Sequence, residues 1–163
     1  MIRTKLETTM RSRRCTLLGV GPMSVNCVDA TIELANEHRI PLMLIASRRQ
    51  IDSADFGGGY VNNWTTEEFA NYVIENDKRG YVMLARDHGG PWQNTLEKEK
   101  KLSLRQAMES AKKSYEADIS SGLQIIHIDP SVDIFGGSTT DEILERAYEL
   151  LDFCTEISHR TNN

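Results

Sequence analysis

The sequence predicts an α/β fold in which parallel strands are joined by helical crossovers. Three observations carry this. Short apolar runs alternate with amphipathic stretches four times along the chain. A helical stretch separates each run from the next, the pattern of a parallel sheet with right-handed connections. A content of 39% hydrophobic and 26% charged residues over 163 positions suits one domain with its own core. Two architectures use this unit. A doubly wound open sheet closes a core in ~150 residues, and a (βα)8 barrel takes about 250. Four units fit the open sheet by length, or half of the barrel.

The elements follow in order. Residues 1–14 carry Arg3, Lys5, Arg11, Arg13 and Arg14 against Glu7 and read as a basic, flexible leader. No apolar stretch of secretory type follows them. The α/β domain spans 15–157. Its first strand is Cys15–Gly21, closed by Pro22, and Val25, Val28, Ile32 and Ala35 then recur at helical spacing. Residues 41–46 are a buried-strand run. A glycine-rich loop over 50–63, about 14 residues against the usual 2–6, is expected to form a mobile lid. Thr65 and Glu68 make a capping box, starting a helix that buries Phe69, Tyr72 and Val73. Residues 80–85 form strand three, and its helix runs from Ser103 to Ser120. Residues 123–129 form strand four, ended by Pro130. A second capping box, Thr139 with Glu142, opens the last helix, with Ile143, Ala147, Leu150, Leu151 and Cys154 as its stripe. Residues 158–163 are a polar tail.

Charge and composition exclude several classes. A net charge of −5 argues against a general nucleic-acid binder, and 7% aromatics against base-stacking platforms. No run approaches the ~20 apolar residues of a membrane span. Cys15, Cys27 and Cys154 form no CxxC pair and no even framework, so a reduced, cytoplasmic chain is expected.

Chemistry in parallel α/β folds gathers at the carboxyl ends of the strands. There the sequence places Ser47-Arg48-Arg49, Asp87-His88-Gly89-Gly90-Pro91 and His127-Ile128-Asp129. An imidazole beside a carboxylate can bind a divalent metal while the carboxylate moves a proton or orients the ring. The same pair also suits a turn-capping Asp with an exposed His. His127 and Asp129, two apart on a strand, share a face, and suit either a functional pair or a mutually satisfied hydrogen bond. Arg48 and Arg49 suit a solvated pair at a strand end, or could hold an anionic sugar phosphate. Gly89, Gly90 and Pro91 allow a backbone close to a ligand, while Gly57, Gly58 and Gly59 suit a phosphate cradle or, more naturally, a flexible lid across the strand ends. The run Glu97–Lys101 reads as a solvated lead-in to a helix.

Ala46-Ser47, the glutamine beyond it, Phe56-Gly57-Gly58-Gly59-Tyr60, Phe69 on a Thr-started helix, Asp87–Pro91 and Ile126–Asp129 occur in a familiar order. Over residues 15–155 the chain resembles the accessory, non-catalytic subunit family of class II tagatose-bisphosphate aldolases, once called tagatose 6-phosphate kinases. The resemblance implies parallel units of the (βα)8-barrel type, four of them, as an amino-terminal half barrel. It implies a cytoplasmic protein of sugar phosphate metabolism, and a partner that is a catalytic aldolase subunit or a second half-barrel chain, in a homo- or hetero-oligomer. Asp87 would be the acid/base, His88 a ligand to zinc or manganese, and Ser47, Arg48, Gly58, Gly59, His127 and Asp129 would line the substrate cavity. Two further readings stand beside it: a metal-dependent ketose aldolase or epimerase in its own right, and a small α/β binding module without catalysis. The chain departs from the family where strand one ends in Gly19-Val20-Gly21-Pro22 and where the barrel's second half would follow.

Overall fold

A computed structural model of the protein describes residues 2–12 and 16–161. Its centre is a four-stranded parallel sheet in the order β1-β2-β3-β4, formed by Gly19–Val20, Leu42–Ser47, Val82–Asp87 and Ile125–Ile126. The helices are α1 (Ile2–Ser12), α2 (Val25–His38), α3 (Thr66–Asn76), α4 (Thr95–Glu99), α5 (Leu104–Ser120) and α6 (Thr140–Thr161). Spatial order equals chain order, with no point at which it reverses. Crossovers of one hand then all turn the same way, and the helices gather on one face. One half of a (βα)8 barrel is wound in this manner.

Side-chain alternation sets the layers. Leu42, Leu44 and Ala46 of β2 pack into one core with Val28, Ile32 and Ala35 of α2 and with Phe69, Ala70 and Val73 of α3. Met43, Ile45 and Ser47 point to the other face and are half-buried. A second core joins Met108, Ala111, Tyr115 and Ile119 of α5 to Leu150, Cys154 and Ile157 of α6, and Ile126 touches both cores. The helices begin where the caps demand. Thr65 with Glu68 and Ser103 with Gln106 form reciprocal capping boxes, and Thr139 bonds Glu142 in the same way. Each such cap contributes about 1 kcal/mol.

Several expectations differ. The first and fourth strands pair over two residues each, and among the described residues each has a neighbour on one side alone. The expected start at Cys15 lies outside the described residues. The basic leader forms α1 over Ile2–Ser12. Lys5 Nζ donates to the Arg79 carbonyl and, at 3.0 Å, to that of Gly80, and it sits 3.8 Å above the Tyr81 ring, at the amino-terminal end of β3. Helix α6 carries the polar tail on to Thr161, and Leu151 faces outward, 50% exposed. Among the described residues, no helix is long and apolar enough to cross a membrane.

The loop expected as a lid is pinned instead. Tyr60 and Val61 donate backbone bonds to Arg49 and Gln50, and Gly59 donates one to Trp64, all at 3.0 Å. Ile51 and Asp52 are fully buried. Gly57 and Gly58 both lie in the left-handed region, with φ of +77° and +76°, and a Cβ on Gly59 would lie 2.1 Å from the Gln50 carbonyl. These glycines allow two backbone stretches to touch.

Candidate functional site

Strands β2 and β3 end in register, Ser47 beside Asp87. The amide of His127 donates to the Arg86 carbonyl at 3.1 Å, so the chain beyond β4 reaches the same rim. Asp87 shares the face of Met83 and Ala85, away from the helices. His127 Nδ1 lies 3.2 Å from Asp87 Oδ1, and His88 Nε2 lies 3.7 Å from Asp87 Oδ2. The ligand atoms of Asp87, His88 and His127 all fall within 4.8 Å of one another. Both imidazoles are about half exposed.

Two devices aim His88. Its φ of 47° lies in the left-handed region, a sparsely used conformation held by what surrounds it. Its Nδ1 meets Asp129 Oδ2 at 2.6 Å, so Nδ1 carries the proton and Nε2 is left as an acceptor. Asp129 is itself held. Gln93 Nε2 donates to it at 2.7 Å, the Ser131 amide at 3.1 Å, and the Ser131 hydroxyl donates as well. Burial pushes the Asp129 carboxyl up, but the Ser131 and His88 bonds outweigh this and hold it below its ordinary value. Gly89 and Gly90 make the close approach feasible. A Cβ on Gly90 would sit 1.8 Å from the Asp129 carbonyl oxygen, and one on Gly89 would sit 2.3 Å from the Tyr115 ring.

Behind the rim lies a layer of buried charge. Arg86 Nε and Nη2 grip Asp118 at 2.7 and 2.5 Å, while Nη1 donates to the carbonyls of Ala46 and Ile51. Burial disfavours the Arg86 charge, yet Asp118 more than offsets it and raises the guanidinium above its ordinary value. For Asp118 burial is the stronger influence and the carboxyl stands above its ordinary value. We take the pair as ionised, because a bidentate guanidinium is not readily deprotonated. Arg48 is bonded to Asp52 (3.1 Å), Glu97 (2.7 Å), Ser110 (3.3 Å) and the Gly90 carbonyl (3.1 Å).

A cleft of about 360 Å³ opens on the rim, lined by Ser47, Arg49, His88, Gln93, Lys98 and Asp129 among others. A larger cavity of about 710 Å³ lies at the amino-terminal ends of the strands, where Leu6, Met83, Ile119, Leu123 and Ile125 give it a mainly aliphatic lining. The polar cleft is the better chemical candidate despite its size, because it holds convergent titratable groups.

Of the residues singled out in the sequence, Ser47, Asp87, His88, His127 and Asp129 come together at this rim. Arg48 does not serve as a substrate contact: it is 1% exposed and saturated by internal partners. Gly58 and Gly59 line a separate small cleft beside Phe56 and Tyr60 and support backbone packing. The run Glu97–Lys101 is more than solvated, since Glu97 is 2% exposed and paired with Arg48. Sequence reasoning missed Gln93, Lys98 and Asp52. Gln93 and Asp52 stand in loops with no periodicity, and Lys98 was hidden in a charged run.

The donors fit a divalent ion. Two imidazoles and a carboxylate suit zinc or manganese, and the Asp129 bond to the far nitrogen of His88 is the support a ligating histidine commonly receives. Fold and site together define a parallel α/β protein of barrel-type winding, with its polar groups at the strand carboxyl ends. No family model matches the sequence, and no curated protein matches it. The fold is similar to that of a probable tagatose 6-phosphate kinase from Sinorhizobium meliloti 1021, with a TM-score of 0.73 at 21% identity. The match covers 88% of this chain and 37% of that one, so the chain spans just over a third of that structure's length.

Proposed function

We propose that the protein is a metal-binding half barrel of sugar phosphate metabolism, of the tagatose-bisphosphate aldolase accessory kind, that works with a catalytic aldolase subunit or with a second half-barrel chain. The observation that carries this is the Asp87–His88–His127 cluster at the carboxyl ends of β3 and β4. The likeness in fold to the Sinorhizobium protein supports the same direction. His88, through Nε2, and His127 would hold zinc or manganese, with Asp87 as the third donor. When bound, such an ion polarises a sugar carbonyl. Asp87 presents both carboxylate oxygens to the rings, so one can bind while the other exchanges a proton with a substrate hydroxyl. Asp129 fixes the His88 ring, and Gln93 fixes Asp129.

Titration with zinc and with manganese, read by calorimetry, tests the reading. One ion per chain is expected, lost in Asp87→Asn combined with His88→Ala. Absence of stoichiometric binding to either metal overturns it. The autonomous-enzyme reading draws on the same open cluster, and exchange of a ketose C–H proton into deuterated water by the isolated chain would favour it.

A further inference from the structure

The buried Arg48–Glu97 ion pair joins the segment after β2 to α4 across the back of the cleft, at 2.7 Å. The next residue of each segment is a cation. Arg49 is turned outward, its backbone fixed where its carbonyl accepts from the Tyr60 amide at 3.0 Å. Lys98 follows Glu97 on α4 and is half-buried. Both line the cleft that holds His88 and Asp129. Neither side chain has an ion pair or hydrogen bond among the described residues. The two are close enough to act on each other: burial, and after it the charge of Arg49, lowers the Lys98 pKa against the opposing pull of Glu97. Like charges that line one cleft, neither of them in an ion pair among the described residues, are unfavourable until an anion arrives. The acid that shares the cleft, Asp129, is already engaged by His88, Gln93 and Ser131.

We propose that Arg49 and Lys98 form an anion subsite that takes the phosphate of a small phosphorylated polyol or ketose. The subsite stands on the cleft alone. The ligand's orientation, with its oxygenated carbons over Asp87, His88 and His127, rests on the metal-centre reading above. A volume of about 360 Å³ admits a ligand of that size. The proposal also explains why Arg48 is unavailable: its task is to fix where its neighbour points.

The test is calorimetric titration in metal-free buffer with inorganic phosphate, glycerol 3-phosphate and glycerol. Saturable binding of both phosphates, with none of glycerol, is expected. Arg49→Gln and Lys98→Gln should each weaken phosphate roughly tenfold, the loss of one charge-assisted bond, and the double variant should abolish binding. Both side chains lie at the surface of the cleft, and circular dichroism confirms that the variants fold. Lys78→Gln, an exposed charge at the other end of the sheet, should bind as the parent does. Phosphate binding that is undiminished in the double variant, or equally diminished by Lys78→Gln, overturns the subsite. So does failure to saturate below about 10 mM. Binding of inorganic phosphate without glycerol 3-phosphate overturns its assignment to a phosphorylated substrate. Phosphate binding retained in Asp87→Asn with His88→Ala, beside a failed metal titration, would sink the metal centre alone. Metal binding without phosphate binding would sink this proposal alone.

Discussion

Arg86→Met isolates what the buried charge behind the rim contributes. The substitution keeps side-chain length and removes the guanidinium. Asp118, fully buried, then loses two bonds of 2.7 and 2.5 Å, and the carbonyls of Ala46 and Ile51 lose their donor. Breaking a buried pair from one side costs about 3–5 kcal/mol, because the remaining charge is stranded. The two carbonyl bonds add roughly 1 kcal/mol, for a total of about 4–6. At about 2–4 °C per kcal/mol for a chain of this size, the melting midpoint should fall by roughly 8–24 °C. The companion is Arg86→Met with Asp118→Leu, which removes the stranded charge and should recover about half of the loss. Thermal unfolding followed by circular dichroism measures both. A single variant melting within about 2 °C of the parent would refute the reasoning, and a double variant no better than the single would place the cost elsewhere than on Asp118.

Three further outcomes are expected. Gly90→Ala forces a Cβ to within 1.8 Å of the Asp129 carbonyl; it should weaken zinc or manganese roughly 10–100-fold through His88, measured by metal titration, and unchanged affinity would count against the Asp129 support. Because the folded pKa of Asp129 is depressed, its contribution to stability is present above the ordinary value near 4 and is lost as pH falls through the folded value. Melting midpoints should therefore fall in acid below about pH 4, less steeply in Asp129→Asn. Finally, Ile125 on the open face is 38% exposed and, among the described residues, β4 pairs on one side alone, so this chain should associate with itself or a partner through that side. Sedimentation at micromolar concentration should show a dimer or larger species, and a monodisperse 18.4 kDa monomer with a cooperative melt would contradict this.

The winding was legible because it rests on periodicity. Leu42, Leu44 and Ala46, the Thr65–Glu68 box and the α5 stripe all mark their elements locally. The rim was legible for a related reason: in parallel folds, polar residues that follow an apolar run stand at one end. Arg48 and Arg49 could not be told apart in this way. Adjacent arginines look alike in sequence, and which one turns inward depends on Asp52, four residues on in a loop without periodicity, and on Glu97, far along the chain. The left-handed turn at His88 was equally hidden, since non-glycine residues seldom take it. The glycine loop misled because flexibility and close backbone approach demand the same residue.

Arg86 binds the carbonyls of two separate segments, Ala46 in β2 and Ile51 in the loop beyond it, and at the same time grips α5 through Asp118 and meets Thr66 at the head of α3. Four pieces of chain therefore share one side chain. None of them can open alone without surrendering bonds to a buried cation, so local fluctuation near the rim merges with opening of the whole sheet. The hydrogen-bonded amides of Ile51, Gly59, Val61 and Thr66 should exchange with solvent on the timescale of global unfolding, although this stretch is mostly loop. The cleft is thus kept in shape by cooperativity rather than by the rigidity of any single element.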